Sequence, residues 1–410
     1  MSDKRNTPEY RRHNAAVYQL WQDFAAGHPA RVPVMLRTHT RWFLQRRDIN
    51  VEGYTFQDYY DHPEIMWEIQ LRGQRWKRLN VPYTDEYMGY PQQWNGVYPD
   101  FHGGLEEVWL GNQPAYFPDN VMDSIPALQQ DKEKLYEWEL PDPRHGPMMD
   151  RVFEYYEFFE EKRKHGDYDG IPIAPTHLLL GTDGPFTVAT KLRGTSELCL
   201  DMLTDPDYYH RLLDYVTTAA ISRTRHGMQF LGQSYPRPSW GFADCAICIL
   251  SPAQYREFVL PYHKRLLEAF STGPYNSLHS CGTVQHLHKA IADNLPITSF
   301  DCGFAADVAY SRRQVGPKVH FSWRFHPVLQ SAAGEAEIRG AIQRILASRV
   351  TTGRRFTIEE VAYPDIDWKR WEFFYRKVAE LSRYPAAGAP LEDSTDWFLN
   401  RGLIDAPGDM

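Results

Sequence analysis

The sequence predicts an α/β chain that folds as a (β/α)8 TIM barrel, and three observations point to this fold class. Short apolar or β-branched runs alternate with longer amphipathic stretches along most of the chain. Eight strand-like runs can be counted. Several helical stretches begin after Asp or Ser and end near Gly, as capped helices do. Because parallel crossovers are right-handed, eight strand and helix units close naturally into a barrel; a doubly wound open sheet is the alternative fold.

The expected strands are short runs rich in the residues that favour extended chain. In chain order they occupy residues 31–36, 80–86, 171–180, two pieces between 229 and 245, 275–281, 296–302, 318–323 and 355–361. The expected helices are amphipathic and lie between these strands. They occupy residues 61–79, 148–166, 205–227, 251–273, 284–294, 335–348 and 367–381.

Residues 90–145 interrupt this alternation. The stretch is rich in Gly, Pro, Asn and aromatic residues, which suits hairpins and loops rather than a barrel helix. We therefore expect an insertion over the mouth of a single barrel that occupies residues 1–385. Residues 386–410 are rich in Pro and Gly and are expected to form a surface tail.

Composition narrows the class of protein. Apolar residues make up 42% of the chain and charged residues 24%, as in soluble globular proteins. The formal charge is −8 without a long basic run, so no nucleic-acid partner is expected. No stretch is long and apolar enough for a membrane span, and the N-terminus has no signal-peptide core. We therefore expect a cytoplasmic protein. The sequence leaves the oligomeric state open, a homodimer included.

His279 and Cys281 are the first candidate site residues. The chain has only five cysteines, an odd number that is too few for a disulfide scaffold. Side chains two apart on a strand point the same way, so His279 and Cys281 share the barrel interior at a strand end. Barrel active sites form at such ends, and zinc accepts this mixture of nitrogen and sulfur ligands. The alternative interpretation is a buried histidine packed beside a small apolar cysteine.

A zinc site needs further ligands, and two later strand ends offer them. The run ending in Asp301 and Cys302 supplies one carboxylate and one thiol, and the last expected strand supplies Glu359 and Glu360. A carboxylate inside an apolar strand is costly to bury unless it is paired or bound to a metal. Alternation favours Glu359 for the interior face. The alternative for these glutamates is a salt bridge to Arg354 or Arg355 nearby.

The end of the fourth expected strand contains two more cysteines. Cys245 and Cys248 form a Cys-x-x-Cys without the second pair of a structural zinc site or a thioredoxin-like context. We interpret both as packing residues. Asp244 beside them is the better candidate for a functional role, and His177 at the end of the third expected strand is a further candidate.

Residues 241–270, which read GFADCAICILSPAQYREFVLPYHKRLLEAF, and the LHSCGTV that follows at 278–284 carry a family resemblance. They resemble the uroporphyrinogen decarboxylase superfamily, whose members have an acid, a Ser-Pro, an aromatic residue, a Phe-x-x-Pro-Tyr helix and a His-x-Cys-Gly strand end. Residues 184–216 and 138–143 are also similar. The likeness extends over roughly residues 30–380 and implies a (β/α)8 barrel.

The superfamily contains two chemistries, and this sequence has features of both. The resemblance to the corrinoid methyltransferases implies that His279 and Cys281 bind zinc, with a third ligand near the last strand. There, glutamates stand where that branch usually has a cysteine, which would suit an oxygen donor. The resemblance to the decarboxylases rests on Arg37 and Arg41, four residues apart after the first strand, which could clamp substrate carboxylates.

The leading expectation is a zinc-dependent methyltransferase of the O-demethylase or thiol methyltransferase type. It would move a methyl group between a small substrate, an aromatic methyl ether being one option, or a thiol, and a corrinoid (cobalamin). No Asp-x-His-x-x-Gly corrinoid signature occurs in the sequence, so a separate corrinoid protein is the expected partner. The alternatives are a metal-free decarboxylase of a polycarboxylate, with Asp85 also in the cleft, and a barrel that only binds a tetrapyrrole or a partner.

Overall fold

The computed structural model describes residues 5–347, 350–362 and 366–384, so the expected C-terminal tail lies outside the described residues. The chain is an α/β barrel built on a parallel sheet of six strands in the order β1-β8-β7-β6-β5-β4, and β2 pairs with β3 in an antiparallel hairpin. The strands are β1 Val34–Arg37, β2 Gln113–Ala115, β3 Asp123–Ile125, β4 Gly241–Ala243, β5 Asn276–Ser280, β6 Ile297–Cys302, β7 His320–Trp323 and β8 Phe356–Val361.

Helices surround the sheet, and each of the seven expected from the sequence has a counterpart. The α-helices are α1 Pro8–Ala25, α2 Thr40–Gln45, α3 Phe56–Asp61, α4 Pro63–Asn80, α5 Leu105–Trp109, α6 Pro147–His165, α7 Pro185–Arg193, α8 Thr195–Thr204, α9 Pro206–Phe230, α10 Pro252–Gln254, α11 Leu260–Phe270, α12 Gln285–Asn294, α13 Val308–Val315, α14 Pro327–Ser331, α15 Glu335–Ala347 and α16 Trp368–Leu381. Single turns of 3₁₀ helix lie at Lys132–Glu137, Ala246–Ile249 and Thr352–Arg354, and a π-helical turn at Tyr255–Val259 joins α10 to α11. None of these helices within the described ranges is long and apolar enough to cross a membrane.

The prediction of a second strand at 80–86 is wrong. Hydrogen bonds to side chains replace the backbone ladder that a strand would form there. The Asp85 carboxylate accepts a hydrogen bond from the Val34 N–H at 2.7 Å, and the Glu86 carboxylate accepts one from the Leu36 N–H at 2.9 Å. One backbone bond, from Asp85 N to the Val34 carbonyl at 2.7 Å, completes the contact. The edge of β1 is thereby satisfied without a second strand.

Two other expected strands also differ from the structure. Residues 171–180 form only isolated bridges, such as the parallel bridge between Trp94 and Ile173. The piece beginning at 229 continues the amphipathic helix α9 to Phe230 and then turns at Gly232, which has a φ of +64°. The apolar pattern of α9 continues beyond the predicted end of the helix, and its last residues were therefore interpreted as the beginning of a strand.

The interior of the barrel is polar along β5, β6, β7 and β8. Residues in register on neighbouring parallel strands point to the same side of the sheet. His320 donates or accepts hydrogen bonds at both ring nitrogens, to Ser299 at 3.0 Å and to Thr357 at 3.1 Å, and therefore links β6, β7 and β8. One layer closer to the strands' C-terminal ends, His279 lies in register with Asp301. The chemistry is therefore concentrated at this end of the barrel.

Candidate metal centre and adjoining cleft

Three side chains meet at the C-terminal ends of β4 and β5. His279 Nε2 lies 3.0 Å from Cys281 Sγ, and Cys245 Sγ accepts a hydrogen bond from the Cys281 N–H at 3.2 Å. The ligand atoms of Cys245, His279 and Cys281 all lie within 4.8 Å of one another. Among the described residues, this is the one group of three or more His, Cys, Asp or Glu side chains arranged to hold a metal ion. Cys281 is exposed, so the group opens toward the barrel mouth.

The backbone of β4 positions Cys245. Asp244 N donates to the His279 carbonyl at 3.0 Å, which ties the end of β4 to β5. Ala246 N donates to Thr187 Oγ1 at 2.9 Å, which fixes the other side of Cys245. Gly184 passes so close that an added Cβ would lie 2.2 Å from the Ala243 carbonyl oxygen, and its φ is +94°. A glycine is therefore required where α7 begins against this strand.

Asp244 holds this corner of the barrel together. Its fully buried carboxylate accepts hydrogen bonds from Phe186 N at 3.1 Å and Thr187 N at 2.9 Å, which are free N–H groups in the first turn of α7. It also bonds to His263 Nε2 at 3.0 Å, and His263 Nδ1 in turn bonds to the Tyr255 hydroxyl at 3.0 Å. Asp244 therefore supports the position of Cys245 and does not itself face the cleft.

Asp301 fixes the orientation of His279. Its Oδ2 lies 2.7 Å from His279 Nδ1 and 3.0 Å from Arg324 Nη2. A proton on Nδ1 is thus held by a carboxylate, which leaves Nε2 directed at the sulfur atoms. Burial disfavours the charged imidazole, but hydrogen bonds to Asp301 and Cys281 outweigh it and raise the pKa of His279 to about 9. For Asp301, the contact with His279, followed by the charges of Arg324 and Arg37, outweighs burial and holds its pKa far below its usual range.

The two sulfur atoms share one proton. A hydrogen bond from the Cys245 thiol, followed by the one from His279, lowers the pKa of Cys281 to about 4. The thiol of Cys245 donates that bond, and together with burial this raises the pKa of Cys245. The pair therefore behaves as a thiol beside a thiolate. One imidazole and two sulfur atoms are a donor set that suits zinc, so the residues present fit this ion.

The other predicted ligands lie elsewhere. Glu359 faces the interior as expected, but it is paired with Arg37 and not with Arg354 or Arg355. Glu360 lies on the opposite face of β8, where burial raises its pKa to about 8. Cys302 is buried on the outer face of β6, with its Sγ 3.7 Å from His288 Nε2. The structure does not bring any of these three into the group formed by Cys245, His279 and Cys281.

A cleft with two lobes adjoins the candidate metal group. The first lobe, of about 410 Å³, includes His279 in its wall together with Glu106, Asp183 and Arg223, and we call it the metal lobe. The second lobe, of about 450 Å³, is lined by His39, Tyr98, His102 and His177 among others, and we call it the histidine lobe. His102 and Leu179 line both lobes, so the two lie side by side.

Comparison with known proteins is decisive for the family. Residues 173–359, which carry Asp244, His279 and Cys281, match the family model described as uroporphyrinogen decarboxylase (URO-D). These residues form a URO-D family domain. The resemblance inferred from the sequence is thereby confirmed.

Individual relatives of this chain match it over part of their length. It is 31% identical over 163 residues to a methylated-thiol–coenzyme M methyltransferase of Methanosarcina mazei, which is 38% of this chain and 39% of that protein. It is 27% identical over 218 residues to a uroporphyrinogen decarboxylase of Pelobacter propionicus, which is 50% of this chain and 61% of that protein. The chain therefore spans less than two thirds of either relative.

A solved structure agrees with the barrel. The methyltransferase from Methanosarcina mazei superposes with a TM-score of 0.58 over 89% of this chain and 98% of its own, at 15% sequence identity. At that identity the likeness shows the fold alone. It supports the TIM-type α/β barrel that the strand count predicted.

The remaining predicted residues occupy distinct positions in the URO-D barrel. Arg37 is bound by Glu359, and Arg41 donates its backbone N–H to His39 Nδ1 at 3.2 Å while its buried Nε has no hydrogen-bond partner among the described residues. His177 packs its ring 4.7 Å from that of Tyr98 in the histidine lobe. Asp85 lies outside the cleft walls, where it forms a salt bridge with Arg31.

Two functional residues escaped the sequence analysis. Cys245 was interpreted as packing because its own Cys-x-x-Cys has no second pair. The signal that could have found it is its position at the end of β4, directly beside the strand that carries His279. Arg324 lies one residue beyond β7, and its side chain reaches Asp301 from there, a contact that no spacing along the chain displays.

Proposed function

We propose that this chain is a zinc-dependent methyltransferase that exchanges a methyl group between a small sulfur substrate and a corrinoid carried by a separate protein. The observation that carries the proposal is the group of Cys245, His279 and Cys281 at the C-terminal end of the barrel strands. The name of the Methanosarcina mazei relative, a methylated-thiol–coenzyme M methyltransferase, supports the same chemistry.

The donor set argues for a sulfur substrate over an oxygen substrate. Two thiolates and a neutral imidazole cancel the charge of a zinc ion, whereas a carboxylate in place of one sulfur would leave a harder ion. The sequence suggested an oxygen donor only because glutamates replaced the expected third cysteine. With Cys245 in the group, that reason disappears, and a thiol or methylated thiol is the better substrate. A methyl ether remains the second candidate for the same metal group.

The residues of this chain would divide the work as follows. Cys245, His279 and Cys281 would hold the zinc, which supplies a Lewis acid that binds the substrate's sulfur and favours its thiolate form. Asp301 keeps the Nδ1 proton of His279, so that Nε2 stays available as a ligand. Arg324 donates a hydrogen bond of 3.0 Å to Asp301 and supports His279 in keeping that carboxylate ionised. The cleft beside His279 would orient the substrate.

The transfer itself moves a methyl group without its bonding electrons. When the substrate thiolate is the acceptor, a lone pair of its sulfur forms the new bond to carbon. The bond from the methyl to the carrier breaks, and its electron pair stays on the carrier, which is thereby reduced by two electrons. The proton of the thiol leaves when the thiolate forms. In the reverse direction the same bonds form and break in the opposite order.

A metal-free decarboxylase is the rival function, and the structure gives it less support. That chemistry needs free arginines for substrate carboxylates. Arg37 is paired with Glu359, and Arg41 does not line either lobe of the cleft.

The test is a paired assay of the zinc-loaded protein. We expect loss of the absorbance of methylcobalamin when 2-mercaptoethanol is added, and no carbon dioxide release from uroporphyrinogen. A variant with both His279→Ala and Cys281→Ser should lose the methyl transfer and the bound zinc. The variant His145→Ala, at an exposed surface histidine, is the control and should keep both. Carbon dioxide release, or transfer that survives in the double variant, would overturn the proposal.

A further inference from the structure

We propose that the histidine lobe of the cleft binds the body of the methyltransferase's sulfur substrate, and that this body is uncharged, about the size of one aromatic ring, and a hydrogen-bond donor. This inference rests on the proposed function, because it names the substrate class of the same site. The lobe of about 450 Å³ lies directly beside the metal lobe, and His102 and Leu179 line both. A substrate with its sulfur at the metal group could therefore extend its body into the histidine lobe.

The charges of the cleft exclude an anionic body. Among the described residues that line the two lobes, Arg223 is the only cationic side chain apart from histidines. Its guanidinium is already engaged by Glu106 at 3.0 Å and by the carbonyls of Leu179 and Gly181. Asp183, in the wall of the metal lobe, forms no salt bridge with another described residue. An anion would therefore meet an unpaired carboxylate and no free cation.

The cations nearest the metal group are also occupied. Arg324 bonds to Asp301 at 3.0 Å, and Arg37 is paired with Glu359. Releasing either one for a substrate anion would leave a buried carboxylate without its partner, which is costly.

Among the described residues that line the histidine lobe, Asp100 is the only acid, and its carboxylate is already hydrogen-bonded. Its carboxylate accepts hydrogen bonds from the Thr40 hydroxyl, from the Tyr59 hydroxyl at 3.0 Å and from the His102 N–H at 3.4 Å. Burial, the largest effect on the nearby imidazole, lowers the pKa of His39 and so favours its neutral form. The carboxylate that a cationic substrate would need is therefore already occupied by three donors.

The walls suit a ring that donates a hydrogen bond. The rings of Tyr98 and His177 lie 4.7 Å apart at an angle of 35°, and those of His39 and His102 lie 5.9 Å apart. Flat rings of this kind pack well against an aromatic ring. The buried Oε1 of Gln74, also in the wall, has no hydrogen-bond partner among the described residues. A hydroxyl on the substrate would satisfy this acceptor.

Two matched pairs of thiols test this assignment by binding alone. The first pair is 4-hydroxybenzyl mercaptan and 4-(mercaptomethyl)benzoate, which differ in the charge of the ring substituent. The second pair is 2-mercaptoethanol and 2-mercaptoethanesulfonate, which lack the ring. Binding is measured by calorimetry with zinc-loaded protein. We expect the uncharged member of each pair to bind at least about tenfold more tightly, because like charges repel across a poorly screened cleft.

Two variants distinguish binding in the histidine lobe from binding in the metal lobe. His177→Ala should weaken binding of 4-hydroxybenzyl mercaptan by about tenfold and leave 2-mercaptoethanol unchanged, because the smaller thiol occupies only the metal lobe. Asp183→Asn should reduce the difference in binding affinity between 2-mercaptoethanol and 2-mercaptoethanesulfonate. His145→Ala on the surface should change neither.

The outcomes separate this inference from the proposed function. If the anionic members bind as well as the uncharged ones, or if His177→Ala affects both uncharged thiols equally, the assignment of the lobe is overturned while methyl transfer to thiols stands. If no thiol binds zinc-loaded protein at all, the proposed function fails together with the inference.

Discussion

At the scale of single residues, the contact between Asp301 and His279 determines how well the metal group is prepared. The carboxylate holds Nδ1 at 2.7 Å and so fixes both the tautomer and the ring orientation. Asp301→Asn keeps the shape but loses the charge, and we expect zinc affinity to fall about 10- to 100-fold. Competition with a colorimetric chelator measures this affinity. Asp293→Asn, at an exposed carboxylate paired with Lys289, is the matched control and should have no effect. Equal affinities in all three proteins would contradict the assigned role of Asp301.

A second prediction at the scale of single residues concerns how Glu107 makes the stability of the fold depend on pH. Burial, reinforced by the charges of Asp183 and Glu106, raises the pKa of Glu107 from its ordinary range to about 8. Between about pH 5 and pH 8 the unfolded chain has released this proton while the folded chain keeps it. The free energy of unfolding therefore falls as pH rises, by at most about 1.4 kcal/mol per pH unit from this group.

The substitution Glu107→Gln should remove this dependence, because an amide does not ionise. Urea denaturation between pH 5 and pH 8 should show a flatter profile for the variant than for the natural chain, with the largest relative gain at pH 8. Glu137→Gln, at an exposed glutamate of the same inserted region, should leave the profile unchanged. Parallel profiles for the natural chain and Glu107→Gln would mean that the Glu107 carboxyl ionises at its ordinary pKa.

Sequence reasoning at this scale succeeds where the rule is local. The two-residue period of a strand placed His279 and Cys281 on one face, and it placed Glu359 in the interior. It could not supply partners that are distant along the chain. Cys245 is 36 residues from Cys281, and Arg37 is 322 residues from Glu359. Those meetings depend on strand order and register, which a single sequence does not display.

At the scale of elements, the edge of β1 is the most unusual feature of the barrel. Asp85 takes the place of a neighbouring strand there. Its carboxylate accepts hydrogen bonds from the Val34 N–H at 2.7 Å, from Arg31 Nη1 at 2.6 Å and from the Tyr375 hydroxyl at 2.8 Å. One side chain thus joins β1, the segment that follows α4, and α16.

We expect Asp85→Ala to cost about 3 to 5 kcal/mol of stability, because it leaves Arg31 buried without its partner. Hydrogen exchange should accelerate first at β1 and around Tyr375 in the middle of α16, while β5 and β6 keep their protection. Asp23→Ala on α1, a partly exposed carboxylate that contacts Gln19, is the control. Uniform acceleration over the whole sheet would show that this edge has no local role.

The elements also show which patterns a sequence displays clearly. Long amphipathic helices such as α6, α9 and α16 were predicted to within a few residues, because a 3.6-residue period repeats several times along each. The irregular segments at 80–86 and 171–180 carry strand-like residues, but side-chain hydrogen bonds and isolated bridges hold them instead of a ladder. Residue preference cannot distinguish these two ways of pairing.

At the scale of the whole molecule, the barrel brings distant strand ends to one mouth. Eight expected units led to the correct fold class, although six strands form the hydrogen-bonded parallel sheet of the described residues. The cleft could not be predicted in this way, because it joins β1, the inserted segment and β4 through residues such as His39, His102 and Phe242. The lack of unpaired Lys and Arg side chains among the described residues of the cleft could not be predicted either. The chain contains 45 Lys and Arg, and only the folded structure shows which of them are paired.

The central claim is that one imidazole and two sulfur atoms of this chain hold a zinc ion. X-ray absorption at the zinc edge of the zinc-loaded protein measures that coordination directly. We predict two sulfur neighbours at about 2.3 Å and one histidine nitrogen at about 2.0 to 2.1 Å. In Cys245→Ser we predict a single sulfur neighbour. A natural protein with one sulfur neighbour and added carboxylate oxygens, or one that retains no zinc, would contradict the account.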